Sequence, residues 1–227
     1  MVNRASHLVG SMGRLSDLST ESRPSSMGTV TCPRCGACHV LYRQPVGNGV
    51  VCPDCRAVFD VEAHRFCPLC GAGLERQSAD GRERPACPRC GYVLYGNPLP
   101  GVAVVVMQDG CVLLGRRGSP PFVGRWCMPC GYVEADEDVR DAARRELREE
   151  TGLEVELGPL YAVHSNFQVA GRPVIGIWFR ANVVGGEMRA GDDVSELRFF
   201  PIDAPPPDLP FEGDRLVIEQ LRGEVAG

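Results

Sequence analysis

Between residues 99 and 227 the apolar positions gather into runs of two different periods. Val102 to Met107, Cys111 to Leu114, Val155 to Val163, Val174 to Val184 and Leu197 to Phe200 are short and apolar, and they predict strands. From Asp136 to Thr151 the period lengthens, and Val139, Ala142, Ala143 and Leu147 form a stripe with helical spacing. Acids crowd the first turn of this helix, where they suit the positive end of its dipole. Gly152 stands where a left-handed residue would end it. A second helix is predicted around Asp214 to Leu221, linked to the last strand by the prolines at 205–207. This order of elements predicts an α/β domain with a mixed sheet between helices.

The remaining segments lack material for a second core. Residues 1–28 are rich in serine, with His7, Leu8 and Val9 as the one short apolar run. They predict a disordered tail with neither a secretory h-region nor a membrane span. Residues 29–65 and 66–98 form two small units, and 99–227 the large domain. At 227 residues, 44% hydrophobic and with a pI near 5.5, the chain is expected to be cytoplasmic and to have no membrane partner.

Eight of the 12 cysteines explain the two small units. Cys32, Cys35, Cys52 and Cys55 have the spacing C-x₂-C-x₁₆-C-x₂-C, and Cys67, Cys70, Cys87 and Cys90 repeat it with an offset of 35 residues. Duplication is the simplest origin. The spacing is that of four-thiolate zinc ribbons, so two structural Zn²⁺ per chain are expected, supplying folding free energy that such short units cannot draw from a core. A disulfide framework is the rival reading, but no secretory signal precedes it. Of the other four cysteines, Cys38 reads as a spectator and Cys111 as a small buried strand residue. Cys127 and Cys130 imitate a knuckle for which no second C-x-x-C remains. Packing is expected there, with zinc binding or redox chemistry as the alternatives.

The predicted helix at 136–151 carries the densest constraint in the chain. Glu146, Glu149 and Glu150 stand at i, i+3 and i+4 on one face, where like charges repel and at least one carboxyl would be pushed towards protonation. A hard divalent ion removes that conflict, and oxygen donors with open positions suit Mg²⁺ or Mn²⁺. Arg144, Arg145 and Arg148 could instead make this a solvated, ion-paired face. Gly131, Glu137 and Gly152, at fixed offsets from the glutamates, argue against that alternative, because a solvated face has no need of them.

Gly131, Glu137, Arg145-Glu146-Leu147, Glu149-Glu150 and Gly152-Leu153 together resemble the Nudix box, and the likeness to Nudix hydrolases runs from about Gly101 to Gln220. Chance recurrence of the pattern is on the order of 10⁻⁹ per register. The resemblance implies a Nudix α/β/α sandwich, and metal-assisted attack of water on a diphosphate. It implies that Arg145 orients Glu137 by a salt bridge, and that the residue at Cys130, where the family has glycine, gives its backbone carbonyl to a metal. A later carboxylate, best matched by Glu196, would complete the site; an exposed loop acid is the alternative for Glu196. The chain has no lysine, so all 24 basic residues are arginines and arginine must bind the phosphates. Arg116 and Arg117, at the end of an apolar run, are the candidates, with a solvated strand end as the alternative.

The second ribbon resembles the one that precedes a subset of Nudix hydrolases acting on NADH, FAD or ADP-ribose. This implies a small-molecule substrate containing adenine, and leaves a homodimer open. Ser165-Asn166-Phe167-Gln168 departs from the motif of strict NADH pyrophosphatases, while Phe167 or Tyr161 could stack on adenine. The competing class is an RNA-binding protein, or one that removes a nucleotide cap from RNA, with the ribbons as its grip. Charge opposes it: eight arginines face six acids between residues 29 and 98, and each zinc–thiolate centre adds about −2, so nucleic acid is not the expected partner.

Overall fold

The computed structural model describes residues 28–32, 34–41, 49–55, 58–60, 66–170 and 172–225. The disorder expected of the N-terminal tail falls on residues outside this set, apart from Gly28.

Three two-stranded hairpins come first: β1 (Gly28–Thr31) with β2 (Cys38–Leu41), β3 (Gly49–Val51) with β4 (Val58–Asp60), and β5 (Glu75–Ala79) with β6 (Arg82–Ala86). At three to five residues each, these strands carry no period long enough to read in advance. Three of the cysteine knuckles share one backbone turn, in which the amides of Gly36, Gly71 and Gly91 donate to the carbonyls of Cys32, Cys67 and Cys87. Those glycines have φ of 72–75°, a left-handed conformation that a side chain would strain.

The large domain is built on a mixed sheet in the order β11-β12-β7-β8-β13. Its strands are β7 (Leu99–Gln108), β8 (Cys111–Arg117), β11 (Leu153–Asn166), β12 (Val174–Gly186) and β13 (Val194–Pro201). Two short strands, β9 (Trp126–Cys127) and β10 (Cys130–Tyr132), pair with β8 and β7. The β12–β7 pair is parallel and the others are antiparallel. The pleat sends alternate residues of β7 to opposite faces: Val102, Val104 and Val106 pack under helix α1 (Val139–Thr151), whereas Ala103 and Val105 pack under α2 (Glu212–Val225). Ala142, Ala143 and Leu147 of α1 close one layer, and Val217, Ile218 and Leu221 of α2 close the other. The result is the expected helix–sheet–helix sandwich. Among the described residues no helix is long and apolar enough to cross a membrane.

Helix α1 begins three residues later than the periodicity suggests. Asp138, in extended conformation, accepts a hydrogen bond from the Arg140 amide at 2.9 Å and caps the helix, so Asp136 and Glu137 lie in the turn before it. The far end is as expected: Gly152 adopts φ 70° and its amide donates to the Arg148 carbonyl at 2.8 Å. Cys111, expected to be buried, is only partly so, because it stands at the tight turn opening β8.

Candidate active site

The turn joining β9 to β10 delivers Met128, Pro129 and Cys130 to the N-terminal side of Gly131, over which α1 lays its carboxylates. A cleft of about 290 Å³ opens there, lined by Glu146 and Glu150 of α1, by Cys130 and Gly131, and by Asp192 and Asp193 from the loop before β13. With Glu134 and Asp214, six carboxyl side chains line the cleft.

These carboxylates differ in environment. Glu150 is 2% exposed and accepts a hydrogen bond from the Cys130 amide at 2.9 Å. Burial, with the Asp193 carboxylate nearby, raises its pKa well above the ordinary carboxylate range. Burial likewise raises Glu146, although Arg145 opposes the shift. Glu149 is half exposed and reaches the Arg145 Nη1 at 3.1 Å. Arg145 organises the group: its Nε and Nη2 donate to Glu137 at 2.8 Å each, its Nη1 to Glu146 at 2.8 Å, and its Nη2 also to the Tyr132 carbonyl at 3.1 Å. Its guanidinium, hydrogen-bonded to Glu137, holds that carboxyl below the usual range.

Gly131 has a steric reason. A Cβ there would fall inside the carboxylate of Glu146. All-oxygen donors, two of them desolvated with excess negative charge, suit a hard divalent cation.

Several residues singled out in the sequence do not line the cleft, Glu137, Arg145 and Glu149 among them. Side chains alternate along β8, so Arg116 and Arg117 cannot both face one way. Arg117 lines the cleft, donating to Asp193 at 3.2 Å and to the Pro121 carbonyl at 2.7 Å. Arg116 points elsewhere, pairing at 3.4 Å with Glu196, its cross-strand neighbour on β13. Glu196 shares that face and also binds Arg198 at 2.6 Å, so it stands outside the cleft lining. Tyr161 and Phe167 do not line it either, and Tyr161 packs beneath Arg180 instead.

Several cleft residues had no signal strong enough to find them. Arg172 lies over the Tyr132 ring at 5.0 Å and makes no ion pair among the described residues. Phe211 contributes an apolar wall, edge-on to Phe122 at 5.5 Å. Asp192 and Asp193 were visible only as an acid pair before a strand, which is common without function.

Both ribbons assemble their thiols. Each set of four has its sulfurs within 4.8 Å of one another, with pairs at 3.6 and 3.7 Å in the first and 3.5 and 3.4 Å in the second. A tetrahedral ion about 2.3 Å from each sulfur requires sulfurs roughly 3.8 Å apart, far beyond a disulfide bond. Crowding divides the second set. Cys70 falls to about 6, first through its hydrogen bond with the Ala72 backbone. Cys90 is pushed up to about 12; the Tyr92 backbone opposes this, but burial and the neighbouring thiols prevail. Among the described residues Cys127 and Cys130 belong to no such cluster.

The chain matches two family models: the NUDIX domain over residues 97–221 and the Nudix N-terminal model over 65–96. It is 37% identical over 132 residues to an ADP-ribose pyrophosphatase of Methanocaldococcus jannaschii, covering 58% of this chain and 78% of that protein. To the NAD-capped RNA hydrolase NudC of Pseudomonas aeruginosa it is 36% identical over 146 residues, 63% of this chain and half the length of that relative. Among solved structures, a Nudix hydrolase from Nitrosomonas europaea superposes with a TM-score of 0.63 at 28% identity, covering 72% of this chain and 94% of that one. The NUDIX match spans more than half of the chain and the fold agrees with it, so the chain belongs to the Nudix hydrolases.

Proposed function

We infer that this hydrolase cleaves the phosphoanhydride of a nucleoside diphosphate linked to a second group, an adenine-containing compound such as ADP-ribose, FAD or NADH. The observation that carries the reading is the convergence of Glu146 and Glu150 with the Cys130 backbone at one end of a cleft whose other walls offer arginine and aromatic surface. The likeness to an enzyme named ADP-ribose pyrophosphatase supports the choice of substrate class.

Glu146, Glu149, Glu150 and the Cys130 carbonyl would hold Mg²⁺ or Mn²⁺, with Asp192 or Asp193 in the place that the sequence suggested for Glu196. When bound, such an ion neutralises phosphate charge and lowers the pKa of coordinated water. Arg145 holds Glu137 and Glu146 in place and favours the ionised form of Glu137. Arg172, which has no carboxylate partner among the described residues, is the cleft arginine best able to give its donors to a diphosphate, whereas Arg117 is held by Asp193. Phe211 and Tyr132 supply apolar surface at which a base could lie. The two four-thiol clusters would each hold a structural Zn²⁺, and eight reduced thiols suit the cytoplasm.

Similarity to a protein named NAD-capped RNA hydrolase favours one other reading, in which the same bond is broken at the end of an RNA. The test is a screen of purified protein with Mg²⁺ and Mn²⁺ against ADP-ribose, NADH, FAD, diadenosine polyphosphates, nucleoside triphosphates and NAD-capped RNA. Turnover of the small dinucleotides is the expected result. Activity confined to capped RNA would favour the second reading, and background release throughout would overturn both.

A further inference from the structure

Helix α2 contributes a carboxylate that the chemistry above does not use. Asp214, in the first turn of α2, is 2% exposed and lines the cleft on the side opposite α1. Its Oδ2 accepts the Met128 amide at 3.1 Å and its Oδ1 accepts the Trp178 Nε1–H at 3.2 Å. The indole is itself confined: a Cβ on Gly176 or on Gly213 would overlap its ring. A carboxylate held this deeply, with neutral hydrogen-bond donors and no ion pair among the described residues, loses much solvation, which the charges of Arg117 and Arg215 offset only in part. A neutral acceptor would satisfy one of the same donors at lower cost, so the charge calls for a further reason.

The reason lies in the turn that Asp214 grips. Met128 is fully buried, the Pro129 carbonyl accepts the Val104 amide at 3.0 Å, and the Cys130 amide donates to Glu150 at 2.9 Å. Thus two carboxylates from helices on opposite faces of the sheet hold amides two residues apart in one turn, Asp214 at Met128 and Glu150 at Cys130. The next residue is Gly131, against which Glu146 lies. We propose that Asp214 is a positioning residue for the reaction: by fixing the Met128–Gly131 turn from α2, it sets the Cys130 carbonyl and the Glu146 and Glu150 carboxylates at the spacing that binds the divalent ion.

The proposal rests on the metal-site reading above but not on the identity of the substrate, because it is tested by Mn²⁺ titration of the full chain without substrate. Asp214→Asn keeps one acceptor and loses the other, and Asp214→Glu keeps the charge but moves it by one methylene. Each should weaken Mn²⁺ binding about tenfold, with near-ultraviolet circular dichroism confirming the fold. Trp178→Phe removes the other hydrogen bond and leaves Met128 held, so its Mn²⁺ affinity should stay within threefold even if its Tm falls. In Asp214→Asn the relief of a buried charge is opposed by the donor left unpaired, so Mn²⁺ affinity, and not Tm, separates a positioning role from a purely structural one. Wild-type Mn²⁺ affinity in both Asp214 variants, or equal losses in Trp178→Phe, would overturn the assignment. A wild-type protein that binds no Mn²⁺ would instead overturn the metal site itself.

Discussion

Replacing Gly131 by alanine puts a methyl group where the Glu146 carboxylate already lies. The added carbon would stand inside 3.0 Å of all three atoms of that carboxylate, and ordinary contact begins at 3.4 Å. The backbone cannot easily retreat, because Gly131 sits opposite Val102 in the β10–β7 ladder. Glu146 must therefore withdraw by on the order of 1 Å, straining its 2.8 Å bond to Arg145. Misplacement of that size in an active site costs roughly a hundredfold in rate, or about 2.7 kcal/mol of transition-state stabilisation. Stability should move far less. A glycine-to-alanine change gains about 0.4–1 kcal/mol through the unfolded chain, offsetting a weakened, partly exposed ion pair, so Tm should stay within roughly 4 °C. The assay compares kcat, Mn²⁺ affinity and Tm for Gly131→Ala and the parent enzyme. An alanine variant with full activity and metal affinity would refute the idea that Gly131 exists to admit Glu146.

Further expectations concern the other groups. Glu149→Gln and Glu150→Gln should each lower kcat at least about tenfold with the fold intact, as steady-state kinetics at saturating substrate would show. Arg172→Gln should raise KM several-fold with little change in kcat, whereas Arg116→Gln should do neither; equal effects would return the phosphate role to β8. Two zinc ions per chain are expected by elemental analysis, and a value near one would mean that one four-thiol cluster is not a zinc site. Because burial raises the folded-state pKa of Glu146 and Glu150 above 4.5, their contribution to the ion-free fold is fully present below about pH 4.5 and is lost as pH rises through the raised values. Protein dialysed free of Mg²⁺ and Mn²⁺ but retaining zinc should therefore show a falling Tm between pH 5 and 8, and added Mg²⁺ should oppose the fall; a Tm independent of both would contradict the burial argument.

The features readable from sequence were those whose chemistry is compressed into fixed spacings. Glu146, Glu149 and Glu150 share a helix turn and a half, and the cysteines repeat at 35 residues, so local geometry alone brings each group together. Strands β7 and β8 announce themselves because apolar residues fill both faces. Asp214, Arg172 and Phe211 each stand alone in the sequence and meet the cleft only through sheet order and helix packing. Arg116 and Glu196 show the converse, being prominent in the sequence yet outside the cleft lining. Their residue types suited the expected roles, but strand alternation and cross-strand register turn both away from the cleft. The short strands β9 and β10 depend on pairing with β8 and β7, and two or three residues hold no period to detect.

The measurement that bears most directly on the central claim is the Mg²⁺ dependence of ADP-ribose cleavage, followed by ³¹P NMR with the parent enzyme and with Glu150→Gln. The account predicts that the diphosphate signals give way to those of AMP and ribose 5-phosphate only with the divalent ion present, and at least about tenfold more slowly in the variant. Metal-independent cleavage, or equal rates in the two proteins, would contradict it.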